Sequence, residues 1–229
     1  VKAGDEVITQ PLTFVATANA IVYNNASPLF IDVNEKTLGL CPDALEQFLD
    51  QNAEKRGAGT FNKTTGKRIS VMVPMHTFGH PCKMDQLLDL ADQWNITIVE
   101  DAAESLGSRI LNSHCGTLGK LGILSFNGNK IITCGGGGAI ITNDDVLADR
   151  AKHLTTTAKV NHCWEYVHDE VGYNYRMPNL NAALACAQLE QLDGILSDKR
   201  ELANAYNEFF SNVDWCDFVK EPEGWSSNY

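Results

Sequence analysis

Leu124-Ser-Phe-Asn-Gly-Asn-Lys-Ile-Ile-Thr-Cys-Gly-Gly-Gly-Gly-Ala-Ile-Ile-Thr142 is the stretch on which the reading of this chain turns. Its apolar opening, Ile123 to Phe126, predicts a short strand; Asn127-Gly128-Asn129 predicts a turn, and Gly138 to Thr142 a second strand entered from four glycines. Lys130 stands alone between the strands, beside Ile131 and Ile132. Burial disfavours an ammonium ion and frees the amine as a nucleophile, so a lysine in apolar company has chemical potential that a solvated one lacks. A surface lysine in a loop is the plainer reading of Lys130 taken by itself. The neighbours argue against it: Ser125 just upstream, the glycine run just downstream, and a strand that ends in Val99-Glu100-Asp101.

Working outward, Glu6 to Thr9 predicts a strand stopped by Pro11, and Thr13 a cap for a helix over Ala16 to Val22. Pro28 to Val33 predicts a strand, and Pro42 to Leu49 a helix with proline at its start. Ala53 to Lys67 is polar and rich in Gly, Lys and Thr, which predicts an exposed loop. Ile69 to Pro74 predicts a buried strand, Met84 to Ala91 an amphipathic helix, and Ile96 to Asp101 a strand with its acid at the carboxyl end. Beyond Pro178, apolar spacing predicts one long helix from Asn179 to about Phe210. Strand and helix in alternation imply βαβ units and a mainly parallel sheet, which binds ligands beyond the carboxyl ends of its strands. Asp101 would stand at that edge.

The 229 residues suffice for one large domain with a sizeable core, or for one domain plus part of another. A net charge of -11 argues against nucleic-acid or anionic-membrane partners, both of which need a basic face. The seven cysteines contain no Cys-x-x-Cys pair, so no disulfide framework or zinc ribbon is predicted and a reducing cytoplasm fits best. No apolar run reaches membrane-spanning length. The start at Val1, without methionine, predicts a fragment of a longer protein.

Ser125-Phe-Asn-Gly-Asn-Lys130 with its glycines, Val99-Glu-Asp-Ala-Ala-Glu-Ser-Leu-Gly107 and Gly172-Tyr-Asn-Tyr-Arg-Met177 together resemble the DegT/DnrJ/StrS family of pyridoxal-phosphate sugar aminotransferases, of fold type I. Gly4 to Ile8 through Thr13-Phe14 is similar to a further segment of that family, so the resemblance covers essentially the whole chain. It implies a three-layer α/β/α fold with a mainly parallel sheet, a large cofactor domain over residues 1–178, and a connecting helix opening a smaller domain over 179–229. It implies pyridoxal 5'-phosphate as cofactor. Lys130 would then be the covalent attachment point and proton shuttle, and Asp101 the carboxylate that keeps the pyridine nitrogen protonated. Glu104 would lie at the ring's phenolic oxygen, Ser125 at the phosphate, and Phe14, preceded by Thr13, against the ring face. Asn174 would reach a neighbouring subunit's phosphate, making the unit a homodimer with shared sites; Arg176 and His76 are candidates for substrate contact. The implied substrates are a nucleotide-linked keto sugar, closest to the UDP-linked N-acetylhexosamine branch with a GDP-linked sugar as runner-up, and an amino acid, usually glutamate, for surface-glycan synthesis.

Each residue also has a plainer reading. Asp101 could cap a helix opening at Ala102-Ala103, Glu104 could be a first-turn acid, Phe14 a core aromatic and Asn174 part of a turn. A truncated relative that keeps the fold and dimer surface without cofactor is the alternative of a different class. The glycine run is not a dinucleotide fingerprint, because the third position falls on Ile140. His76 and His80 are not assigned to a metal, since Gly79 and Pro81 forbid the helix that would align them.

Overall fold

The computed structural model describes residues 1–229. Its strands are β1 (Glu6–Thr9), β2 (Ser27–Phe30), β3 (Ala53–Arg56), β4 (Gly59–Asn62), β5 (Arg68–Val73), β6 (Thr97–Asp101), β7 (Arg109–Ile110), β8 (Ser113–His114), β9 (Leu121–Ser125), β10 (Gly138–Ile141) and β11 (Trp225–Ser226). The helices are α1 (Val15–Tyr23), α2 (Pro42–Asn52), α3 (Met84–Trp94), α4 (Asp145–Thr155), α5 (Asn179–Leu189) and α6 (Leu192–Phe210).

The main sheet has the order β10-β9-β6-β5-β1-β2, parallel throughout except for β10 on β9. Side-chain alternation along β1 divides the core between its faces. Ile8 faces one side, where Leu45 and Leu49 of α2 and Leu87, Leu90 and Trp94 of α3 pack with Ile69 and Met72 of β5. Val7 faces the other side, against Ile21 of α1 and Ala26. Helices therefore cover both faces, the three-layer arrangement that the resemblance implies. α3 ends at Asn95, which takes the left-handed conformation (φ 51°) that stops helices and turns the chain into β6.

Three local expectations are corrected. Residues 53–67 are not simply an exposed loop: β3 and β4 form an antiparallel hairpin turned at Gly57 (φ 60°), and β4 also pairs with β5. The buried residues of β4, Thr60 and Asn62, are polar, which hid the strands. Thr60 donates to the Trp94 carbonyl, while Asn62 donates to buried Glu6 at 2.9 Å. Thr13 does not cap α1; Phe14 occupies that position without a side-chain bond. The long helix predicted from Asn179 is two helices, interrupted at Glu190 and Gln191, with Gly194, a weak helix former, in the first turn of α6.

The end of the chain returns to the turn that follows β6. Arg200 of α6 pairs with Glu221 and donates to the Ser227 carbonyl, and Asn228 donates to the carbonyls of Glu104 and Leu106 at 2.8 Å each. Burial alone would raise the Glu221 carboxyl, but the hydrogen bonds from Arg200 and Ser227 hold it below the ordinary carboxylate range.

Candidate active site

The carboxyl ends of β6 and β9 lie side by side, with Asp101 opposite Ile123. No helix follows β6. The chain turns through Ala102 to Gly107 instead, so Asp101 accepts from the Ala103 N–H at 3.2 Å within a turn rather than at a helix cap, and Glu104 is no first-turn acid. Ser125 closes β9, and the turn Asn127-Gly128-Asn129 delivers Lys130, whose N–H donates to the Asn127 carbonyl at 3.1 Å. Phe126, Ile132 and Cys134 bury themselves against Ala185 of α5 and so fix both flanks of this turn.

These elements enclose a cavity of about 710 Å³ whose lining includes Phe14, Thr17, Asp101, Glu104, Ser125, Asn127, Asn129 and Lys130. The Lys130 ammonium lies 3.2 Å from Glu104 Oε1, and its side chain is only 14% exposed, so the loop lysine is an enclosed one. Glu104 Oε2 accepts the Phe78 N–H at 2.9 Å, holding Phe78 at φ 53°, an uncommon conformation for a bulky residue. Asp101 Oδ2 accepts from the Thr17 hydroxyl at 2.6 Å. The Ser125 hydroxyl oxygen accepts the Asn127 N–H at 3.4 Å, which leaves its own proton for a ligand. The donor set suits pyridoxal phosphate: an amine for its aldehyde, a strand-end carboxylate for its ring nitrogen, a hydroxyl for its phosphate and an exposed aromatic, Phe14, for its ring face.

Other predicted residues lie elsewhere. His76 is corrected as a substrate contact, because its side chain is fully buried and both ring nitrogens are used internally. Nδ1 accepts the Cys82 N–H at 3.0 Å, and Nε2 donates to Glu100 Oε2 at 3.1 Å. Burial favours a neutral ring and the carboxylate a charged one; the acceptor role of Nδ1 decides for neutral imidazole. Glu100 also accepts the N–H groups of Gly116, Leu118 and Gly119. Burial would raise its carboxyl, but the bond from His76, with those from the Gly119 and Gly116 N–H groups, outweighs burial and holds it below the ordinary range.

Thr13 bonds Thr17 at 2.9 Å and is not in the cavity lining. Arg176 lines a separate groove beside β10 and α4, and its Nε donates to Asn174 Oδ1 at 3.0 Å. Within a single chain, therefore, neither Asn174 nor Arg176 joins Lys130. Thr17, in the first turn of α1, lines the cavity and was missed by the sequence reading.

Solved structures share this architecture. The aminotransferase TlmJ from Streptoalloteichus hindustanus superposes with a TM-score of 0.87 at 29% identity, covering 100% of this chain and 58% of that one. Fold and cavity thus define the class as an aminotransferase-type α/β domain. The sequence matches the DegT/DnrJ/EryC1/StrS aminotransferase family over residues 1–227, and the chain belongs to that family. It is 40% identical over 213 residues to GDP-perosamine synthase of Escherichia coli O157:H7, covering 93% of this chain and 54% of that protein. It is 39% identical over 228 residues to EpsN of Bacillus subtilis (strain 168), whose name describes a pyridoxal phosphate-dependent aminotransferase, covering 100% of this chain and 56% of that protein. The chain spans about half the length of the curated relatives it matches.

Proposed function

We propose that the protein containing this chain is a pyridoxal-phosphate aminotransferase that converts a nucleotide-linked keto sugar to an amino sugar, with an amino acid as donor. The observation that carries the reading is the enclosed Lys130 amine in one cavity with Asp101, Glu104 and Ser125. In the overall exchange, the donor's α-carbon loses an amine and a hydrogen and becomes a keto acid. The sugar's carbonyl carbon gains both and gives up its oxygen as water, while the donor carbon takes its new carbonyl oxygen from water, so the reaction balances without an outside oxidant. Bound pyridoxal phosphate supplies an electron sink for the carbanion formed when a proton leaves carbon.

The chain's own residues supply the rest. Lys130 would hold the cofactor covalently and, as a free amine, would take and return the proton at the reacting carbons. Glu104 steers the ammonium before that bond forms. Asp101 would hold the ring nitrogen protonated, Ser125 would donate to the phosphate, and Phe14 would cover the ring face.

Several relatives named GDP-perosamine synthase support a GDP-linked substrate over a UDP-linked one, and glutamate is the proposed donor. Asn174, with Arg176 beside it, is assigned to a second copy's cavity, in a homodimer with shared sites. Residues 1–178 are read as the cofactor domain and 179–229 as the connection to a smaller one. The setting is cytoplasmic synthesis of a surface glycan.

Borohydride reduction after treatment with pyridoxal phosphate, followed by peptide mapping, tests the reading. A stable label centred on Lys130 and lost in Lys130→Ala is expected. Labelling scattered over surface lysines in the full-length protein would overturn it.

A further inference from the structure

Asp101 is held from two directions. Oδ1 accepts the Ala103 N–H from its own turn, and Oδ2 accepts the Thr17 hydroxyl at 2.6 Å, from a helix 84 residues earlier in the chain. Thr17 lies in the first turn of α1, is 7% exposed, and lines the same cavity as Asp101 and Lys130. Hydroxyl bookkeeping gives the chain of bonds a direction. An ionised carboxylate only accepts, so the single Thr17 proton is spent on Asp101. The Thr13 hydroxyl, 2.9 Å from Thr17, must then be the donor between the two threonines. The order is Thr13 to Thr17 to Asp101.

We infer that Thr17 is a positioning residue that fixes the plane of the Asp101 carboxylate for the cofactor's ring nitrogen. The physical reason is torsional. Rotation about the last bond of an aspartate is broad, and one backbone donor at 3.2 Å leaves it loose. A second, shorter bond from a different element removes that freedom before the cofactor arrives, so the ordering cost is not met on binding. The helix thereby becomes part of the cofactor's electrostatic frame, although none of its residues carries a charge. This inference rests on the function proposed above.

The test uses the full-length protein as wild type, Thr17→Val and Thr17→Ser, loaded with pyridoxal phosphate that carries nitrogen-15 in the ring. Valine keeps the shape without the hydroxyl; serine keeps the hydroxyl. Expected for Thr17→Val is about tenfold weaker cofactor binding, the scale of one lost hydrogen bond to a charged group. The ring-nitrogen resonance should also titrate at lower pH than in wild type, while borohydride still places the label on Lys130. Thr17→Ser should restore both quantities. Thr17→Ala provides the same comparison if valine prevents folding. Wild-type affinity and ring-nitrogen titration in a folded variant without the hydroxyl would overturn the inference while leaving the function standing. A folded Thr17→Ser protein that behaves like the valine variant would also overturn it. A wild-type protein unlabelled at Lys130 overturns the proposed function and this assignment with it.

Discussion

At the scale of single residues, the least accessible chemistry lies behind the cavity rather than in it. His76 and Glu100 are both fully buried, and they join three parts of the chain: the segment after β5, the end of β6 and the 116–119 loop. His76→Ala removes the donor to a buried carboxylate and orphans the Cys82 N–H. It should cost about 3 kcal/mol in urea unfolding, as expected for breaking a buried pair from one side. The pH dependence has a definite sign. The folded Glu100 carboxyl lies below its unfolded value, so the stability it contributes is present above about pH 4.3 and is lost as pH falls through the lower folded value. The stability gap between wild type and Glu100→Gln, followed by urea unfolding, should be widest near neutrality and narrow below about pH 4.3. A gap that widened in acid would contradict this account. From sequence alone, His76 shared its prospects with every loop histidine; two long-range partners decided its place.

At the scale of elements, close backbone approach governs β9. A Cβ built on Gly122 would lie 1.9 Å from the Gly116 carbonyl oxygen, so β9 and the loop that caps Glu100 can pack only around a glycine. Gly122→Ala should destabilise the protein by at least about 2 kcal/mol through overpacking, read as a lowered thermal midpoint. Cofactor labelling at Lys130 should fall with it, because Lys130 follows the same strand. Strands such as β5 and β6 were legible because their apolar runs are buried in a parallel sheet. The β3–β4 hairpin was not, because its inward residues Thr60 and Asn62 are polar and are satisfied by Trp94 and Glu6, distant in sequence. The break between α5 and α6 was also hidden, since apolar spacing continues past it.

At the scale of the whole molecule, the segment from Thr157 to Arg176 stands away from the cavity with Trp164, Tyr166, Val171 and Tyr175 exposed. It is fastened at its base, where the Tyr173 N–H donates to the Leu154 carbonyl and Arg150 pairs with Glu170. In the proposed dimer this segment completes the other copy's site, and mixing experiments can read that directly. Lys130→Ala and Asn174→Ala, each inactive alone as full-length protein, should regain activity when unfolded and refolded together. About one site in four should then be intact, because half of the dimers are mixed and each mixed dimer has one complete site. Silence of the mixture, with both variants dimeric, would place Asn174 outside the partner's cavity.

The sequence by itself determined the α/β class, the parallel sheet and the neighbourhood of Lys130, because apolar runs, turn residues and the Lys130 and Asp101 motifs are local in the chain. It also carried the family, through motifs spread over its whole length. Tertiary structure alone decided which residues share the cavity. It sent His76 inward, kept Asn174 and Arg176 apart from Lys130, and joined Thr17 to Asp101. These are choices between residues far apart in the chain, made by which backbone groups need partners and which side chains the packed sheet brings within reach, and no local pattern encodes them.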